Sequence, residues 1–174
     1  VNGLHLEVNR AGLVMMALPL IVCVLAPLSG ALSDRIGTRF LTVTGESLVT
    51  VGLAWLAWTA RAPHITLIVI SLLLLGIGAG MFQSPNNSAI MGSVPPTHLG
   101  IGGGVLATMR NLGMALGITV SSVVGTLGAA PGQLHPSQAV FLHAIGLAFA
   151  CGAAFAGIGV LTSFGLAENT TLVS

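Results

Sequence analysis

The sequence predicts an all-α membrane protein with five transmembrane helices, and three observations carry that prediction. Charged residues make up 5% of the chain and hydrophobic residues 54%, with a mean hydropathy of +1.00. A soluble domain has roughly a quarter of its residues charged, and a surface this poor in charge does not stay dissolved in water. The apolar residues fall into five runs, each of about the ~20 residues that a helix rising 1.5 Å per residue needs to cross a hydrocarbon core of roughly 30 Å. Short stretches holding most of the prolines, histidines and charges separate the runs.

The first ten residues, VNGLHLEVNR, are polar enough to lie outside the bilayer. Span one covers residues 11–32 and carries Pro19 and Pro27. Each proline frees the carbonyl four residues earlier, at Met15 and Cys23, so a kinked helix packed among others is expected, the kinks serving either motion or nothing beyond a tolerated bend. Residues 30–39, GALSDRIGTR, are the one place where charges of both signs crowd together, and they are expected to form a hairpin turn at a membrane face. Span two, residues 40–60, has Glu46 as its only charge and Trp55 and Trp58 near its far end, where an indole suits the headgroup boundary. Arg61, Pro63 and His64 then turn at the opposite face.

Span three covers residues 65–92. It is apolar as far as Phe82, becomes QSPNNSAIMGS, and stops before Pro95 and Pro96. Span four, residues 101–127, carries Arg110 and Asn111, and GAAPGQLHPSQ makes a turn before span five at residues 139–161. The tail from residue 162 is short and polar. Arg35 and Arg39 at one face balance Arg10 and Arg61 at the other, so the positive-inside rule sets no orientation.

The chain begins at Val1 and has no signal-peptide pattern, so a single partial transmembrane domain, residues 1–174, cut from a longer polypeptide is expected. A net charge of +1 without any lysine argues against nucleic acid and against polybasic membrane docking. Cys23 and Cys151 lie within apolar runs as small packing residues. No metal-ligand set, no H-E-x-x-H, no G-x-S-x-G and no acid pair at helical spacing occurs, so a membrane-embedded enzyme is the weakest of the available readings.

Three features stand out within the spans. Gly76 and Gly80, Gly100 and Gly104, and Gly113 and Gly117 are each four residues apart, a spacing that lets helix backbones approach closely. Arg110 sits nine positions into span four, roughly 13 Å along its axis. A guanidinium there costs from ~2.5 to over 10 kcal/mol unless it finds water or a partner. It either snorkels to the nearer interface or faces a polar cavity or an acid, for which Glu46 is the best candidate. In the run Gln83, Ser84, Pro85, Asn86, Asn87, Ser88, Pro85 frees the carbonyl of Met81. Either the helix breaks there beside a cavity, or it ends near Phe82 with the polar residues at the interface.

GALSDRIGTR resembles the signature loop of the major facilitator superfamily, with Gly30, Asp34, Arg35, Gly37 and Arg39 matching and Thr38 intervening before the second basic residue. GIGAGMFQSPNNSAIMGSVPPTHLG followed by GGGVLATMRNLGMALG is similar to the penultimate helices of its fourteen-span drug:proton antiporter branch. The resemblance covers nearly the whole chain and implies a partial C-terminal half of a major facilitator fold. The five spans would be the last five helices of that half, with the N-terminus external and the C-terminus cytoplasmic, in a bacterial inner membrane.

The resemblance further implies multidrug efflux by proton antiport with alternating access. The proton gradient would be the energy source, without a cofactor. The partners would be the lipid bilayer, the N-terminal half of the same transporter and small amphipathic substrates. Asp34, Arg35 and Arg39, with Gly30 and Gly37, would form a conformational latch. Gln83, Pro85, Asn86, Asn87, Arg110 and Asn111 would face the pathway or its gate, joined by Glu46 if it pairs with Arg110. The rival is a helical membrane scaffold without transport activity, whose glycine faces bind partners.

Overall fold

The computed structural model describes residues 8–60, 64–127 and 138–170, and the regular structure there is entirely helical. α1 (Val8–Ile36), α2 (Thr38–Thr59), α3 (Ile65–Gly92), α4 (Leu99–Leu127) and α5 (Gln138–Thr170) follow in order, with a 3₁₀ turn at Pro96–His98 leading into α4. Within the described residues, four segments are long and apolar enough to cross a membrane: Met16–Ile36, Thr38–Thr59, Ile65–Gly92 and Leu142–Ser163. α4 is long enough at 29 residues, about 43 Å, but Arg110 and Asn111 near its middle lower its apolarity. The turns expected at residues 61–63 and 128–137 lie outside the described residues.

The helices run past several of the expected ends. α1 continues through Asp34 and Arg35 to Ile36, and α5 continues to Thr170 through most of what reads as a polar tail. Residues 30–39 are therefore two helix ends joined at one residue. Gly37 (φ 90°, ψ 140°) makes the reversal, in positive-φ backbone space that suits glycine and costs an L side chain about 1–3 kcal/mol. Its N–H still donates to the Ser33 carbonyl at 3.0 Å, so the ladder of α1 persists to its last turn.

Prolines do not end these helices either. α1 passes through Pro19 and Pro27, and α3 passes through Pro85 to Gly92 instead of ending near Phe82. One lost hydrogen bond costs less than unwinding a segment whose remaining backbone groups find no water in hydrocarbon.

α3 is the central helix, packed between α1 and α2; α5 packs on α2, and α4 packs on α5 and only lightly on α3. Among the described residues α2 and α4 do not pack on each other. The tightest crossing is α2 on α3. A Cβ on Gly78 would stand 2.7 Å from the Gly45 carbonyl oxygen and 2.8 Å from the Val49 nitrogen, and one on Gly45 would stand 2.7 Å from the Gly78 oxygen and the Phe82 nitrogen. Here bare backbones touch.

Gly76 and Gly80 face α1, the first against Ile21 and the second against Leu25. The Ser29 hydroxyl donates to the Gly80 carbonyl at 2.7 Å, fastening that seam. Gly100, Gly104, Gly113 and Gly117 have open space where a Cβ would sit, so their spacing brings no described helix against them. Outward faces are largely apolar: Met16, Leu20, Val24, Leu28 and Leu32 form one exposed stripe of α1, as a lipid-facing or partner-facing helix requires. Trp55 and Trp58 are exposed at the end of α2, edge to face with centroids 6.1 Å apart.

Candidate functional site

Because α3 stays helical through Pro85, its polar run divides by face. Ser84 turns to α1, its hydroxyl 2.9 Å from where a Cβ of Gly30 would be, and Pro85 is fully buried. Gln83, Asn86 and Asn87, related as i, i+3 and i+4, share the opposite face. They line a cleft of about 420 Å³ with Val49 of α2, Ala79 and Phe82 of α3, and Leu106, Met109 and Arg110 of α4. The cleft opens where α4 stands off from α2 and α3. Asn111, exposed on α4, does not line it.

Arg110 reaches across rather than along its own helix. Its Nη2 donates to the Asn87 Oδ1 at a long 3.4 Å. That bond joins α4 to the amide face of α3 but leaves the guanidinium charge without a counter-charge among the described residues, none of whose acids lines the cleft. Among the described residues no group of three His, Cys, Asp or Glu side chains could hold a metal ion.

The expected pairing of Glu46 with Arg110 does not form. The Ser163 hydroxyl of α5 hydrogen-bonds the Glu46 carboxylate, which lies against Gly159 one turn earlier on α5. Arg39 also reaches this point, its Nη2 donating to the Ser163 carbonyl at 3.0 Å. The cause is helix order: α5 packs directly on α2, whereas α4 does not. Ser163 falls within the stretch that reads as a tail, so sequence reasoning missed it; its usable signal was Gly159 and Ser163 four apart, a small-residue notch opposite a carboxyl.

The latch residues divide in the same way. Gly37 makes the turn, Gly30 lets α1 approach Ser84, and Arg39 holds α5. Asp34 and Arg35 are exposed, and among the described residues neither has a hydrogen-bonded or ionic partner.

Comparison with known proteins supplies a family. The model of the Major Facilitator Superfamily matches residues 1–170. The riboflavin transporter RibZ of Clostridioides difficile (strain 630) is 41% identical over 113 residues, which is 65% of this chain and 25% of the relative. The uncharacterized transporter YebQ of Escherichia coli (strain K12) is 34% identical over 115 residues, 66% of this chain and 25% of the relative. The multidrug resistance protein Stp of Mycobacterium tuberculosis (strain CDC 1551 / Oshkosh) is 28% identical over 130 residues, 74% of this chain and 24% of the relative. The chain thus spans about a quarter of the length of these relatives. No solved structure matches it.

Proposed function

The chain belongs to the major facilitator superfamily of membrane transporters, and from that premise we propose that it forms part of a secondary transporter that exports small amphipathic compounds in exchange for protons. One observation carries the reading: a guanidinium and three amide side chains face one another across the loosest seam of an otherwise apolar bundle. Hydrocarbon does not tolerate such groups, whereas a water-filled pathway between moving helices does. The names of the relatives, a riboflavin transporter and a multidrug resistance protein, both concern small molecules and support that class of cargo.

The remaining helices of the transporter, as proposed, come from the three-quarters of the relatives' length that this chain does not span, and they face the exposed side of α4. In a bacterial inner membrane with the Gly37 turn at the cytoplasmic face, the stretch enters from outside and leaves inside. Asp34 and Arg35, without a partner among the described residues, then latch onto that other half, making and breaking contacts as the halves rock. A carboxylate and an arginine fork, both exposed in the last turn of α1, are the groups such a latch needs.

Everted membrane vesicles carrying the full-length protein test the proposal. Uptake of an amphipathic dye should follow the imposed proton gradient and collapse when a protonophore is added. Uptake that matches vesicles lacking the protein, or that persists after the gradient is dissipated, rules out proton-driven export.

A further inference from the structure

We infer that the cleft between α3 and α4 binds the anionic end of an amphipathic aromatic compound, such as a carboxylate on a ring system, and disfavours amphipathic cations. The inference rests on the reading of this cleft as part of a transport pathway and adds the charge of the cargo to it.

Among the described residues Arg110 is the only ionisable side chain lining the cleft. The two acids whose side chains are described are elsewhere: Glu46 is engaged by Ser163 in the α2–α5 seam, and Asp34 is exposed at the end of α1. A cation entering the cleft therefore meets a like charge and no carboxylate. The guanidinium has five N–H donors in a planar fork suited to two parallel bonds to a carboxylate. It spends one of them on a long bond to a neutral amide, so the fork is free to bind an anion.

The rest of the lining suits the apolar remainder of such a ligand. Phe82, Leu106 and Met109 offer a ring, a branched chain and a deformable thioether. Gln83 and Asn86 supply amide donors and acceptors on the facing helix. A volume of about 420 Å³ falls within the roughly 300–1,000 Å³ of small-molecule sites.

Fluorescein, a carboxylated planar anion, and ethidium, a planar cation, are suitable probes, with binding to the purified full-length protein read by fluorescence polarisation. The unmodified protein should bind fluorescein at least roughly tenfold more tightly than ethidium, the scale set by one charge-assisted bidentate contact. Arg110→Gln should lose that margin for fluorescein without weakening ethidium, and Arg110→Lys should keep part of it. Ethidium bound as tightly as fluorescein by the unmodified protein overturns the inference, and that comparison requires no variant to fold. An unchanged fluorescein affinity in Arg110→Gln overturns it as well. Fluorescein bound through Arg110 but not moved into vesicles would leave the anion site standing and defeat the transport reading. Ethidium pumped by a protein that ignores fluorescein would do the reverse.

Discussion

Gly78→Ala should sharply destabilise the protein and cut its yield in membranes. The added methyl would lie 2.7 Å from the Gly45 carbonyl oxygen and 2.8 Å from the Val49 nitrogen, and these are backbone atoms of α2 that cannot rotate away. Relief requires α2 and α3 to separate along their whole crossing, which loosens the best-packed pair in the bundle. Overpacking of a core costs about 1–3 kcal/mol when side chains can adjust, and here the upper end or more is expected. Gly45→Ala should do the same from the other side. Gly92→Ala, at an exposed position with open space around it, should be neutral or slightly stabilising, because alanine is the better helix former by up to about 1 kcal/mol. Thermal midpoints of the purified full-length protein check the contrast, and equal midpoints for Gly78→Ala and Gly92→Ala would show that the two helices do not meet at these glycines.

The second large effect is expected at Ser163. Ser163→Ala removes the hydroxyl that hydrogen-bonds Glu46 while leaving the backbone carbonyl that accepts from Arg39. The Glu46 carboxylate then lies within a membrane span without its partner, at a cost of about 1.5–3 kcal/mol, as for other hydrogen bonds to charged groups. Glu46→Gln retains a hydrogen-bonding side chain and should be milder. In a double-mutant cycle, Glu46→Ala and Ser163→Ala should be coupled by about 0.5–3 kcal/mol, whereas Glu46→Ala and Arg110→Ala should add to within about 0.5 kcal/mol. The opposite pattern would mean that Glu46 and Arg110 pair after all.

What could be read in advance, and what could not, follows from the kind of information each feature carries. The five helices were legible because a run of about twenty apolar residues has few other fates. Their ends were not. Asp34 and Arg35 read as loop residues because they are charged, yet at a membrane face charge is compatible with a helix, and the reversal needs only Gly37. Pro85 read as a breaker, yet α3 keeps its course. A shared site for Gln83, Asn86, Asn87 and Arg110 followed only from the family resemblance; the residues themselves pointed Arg110 toward Glu46, and its meeting with the amide face of α3 is a finding of the structure.

The partner of Glu46 was not, because it depends on which helix lies beside α2, a tertiary choice with no local signal. Glycine pairs showed the same limit. Spacing within one helix found Gly76 and Gly80, but the closest approach uses Gly45 and Gly78, single glycines on two helices that no spacing rule connects.

The central claim is that the α3–α4 cleft lines an alternating-access pathway, and the most direct test is cysteine accessibility. Cysteines are placed one at a time at positions 83, 86 and 110 of the full-length protein, with Cys23 and Cys151 replaced, and probed with a membrane-impermeant thiol reagent from each side of the membrane. Labelling that depends on the side of addition and changes when a transported compound is present is the predicted result. Uniform protection at all three positions, unmoved by substrate or pH in a folded protein, would contradict the account and make these polar groups part of the packing.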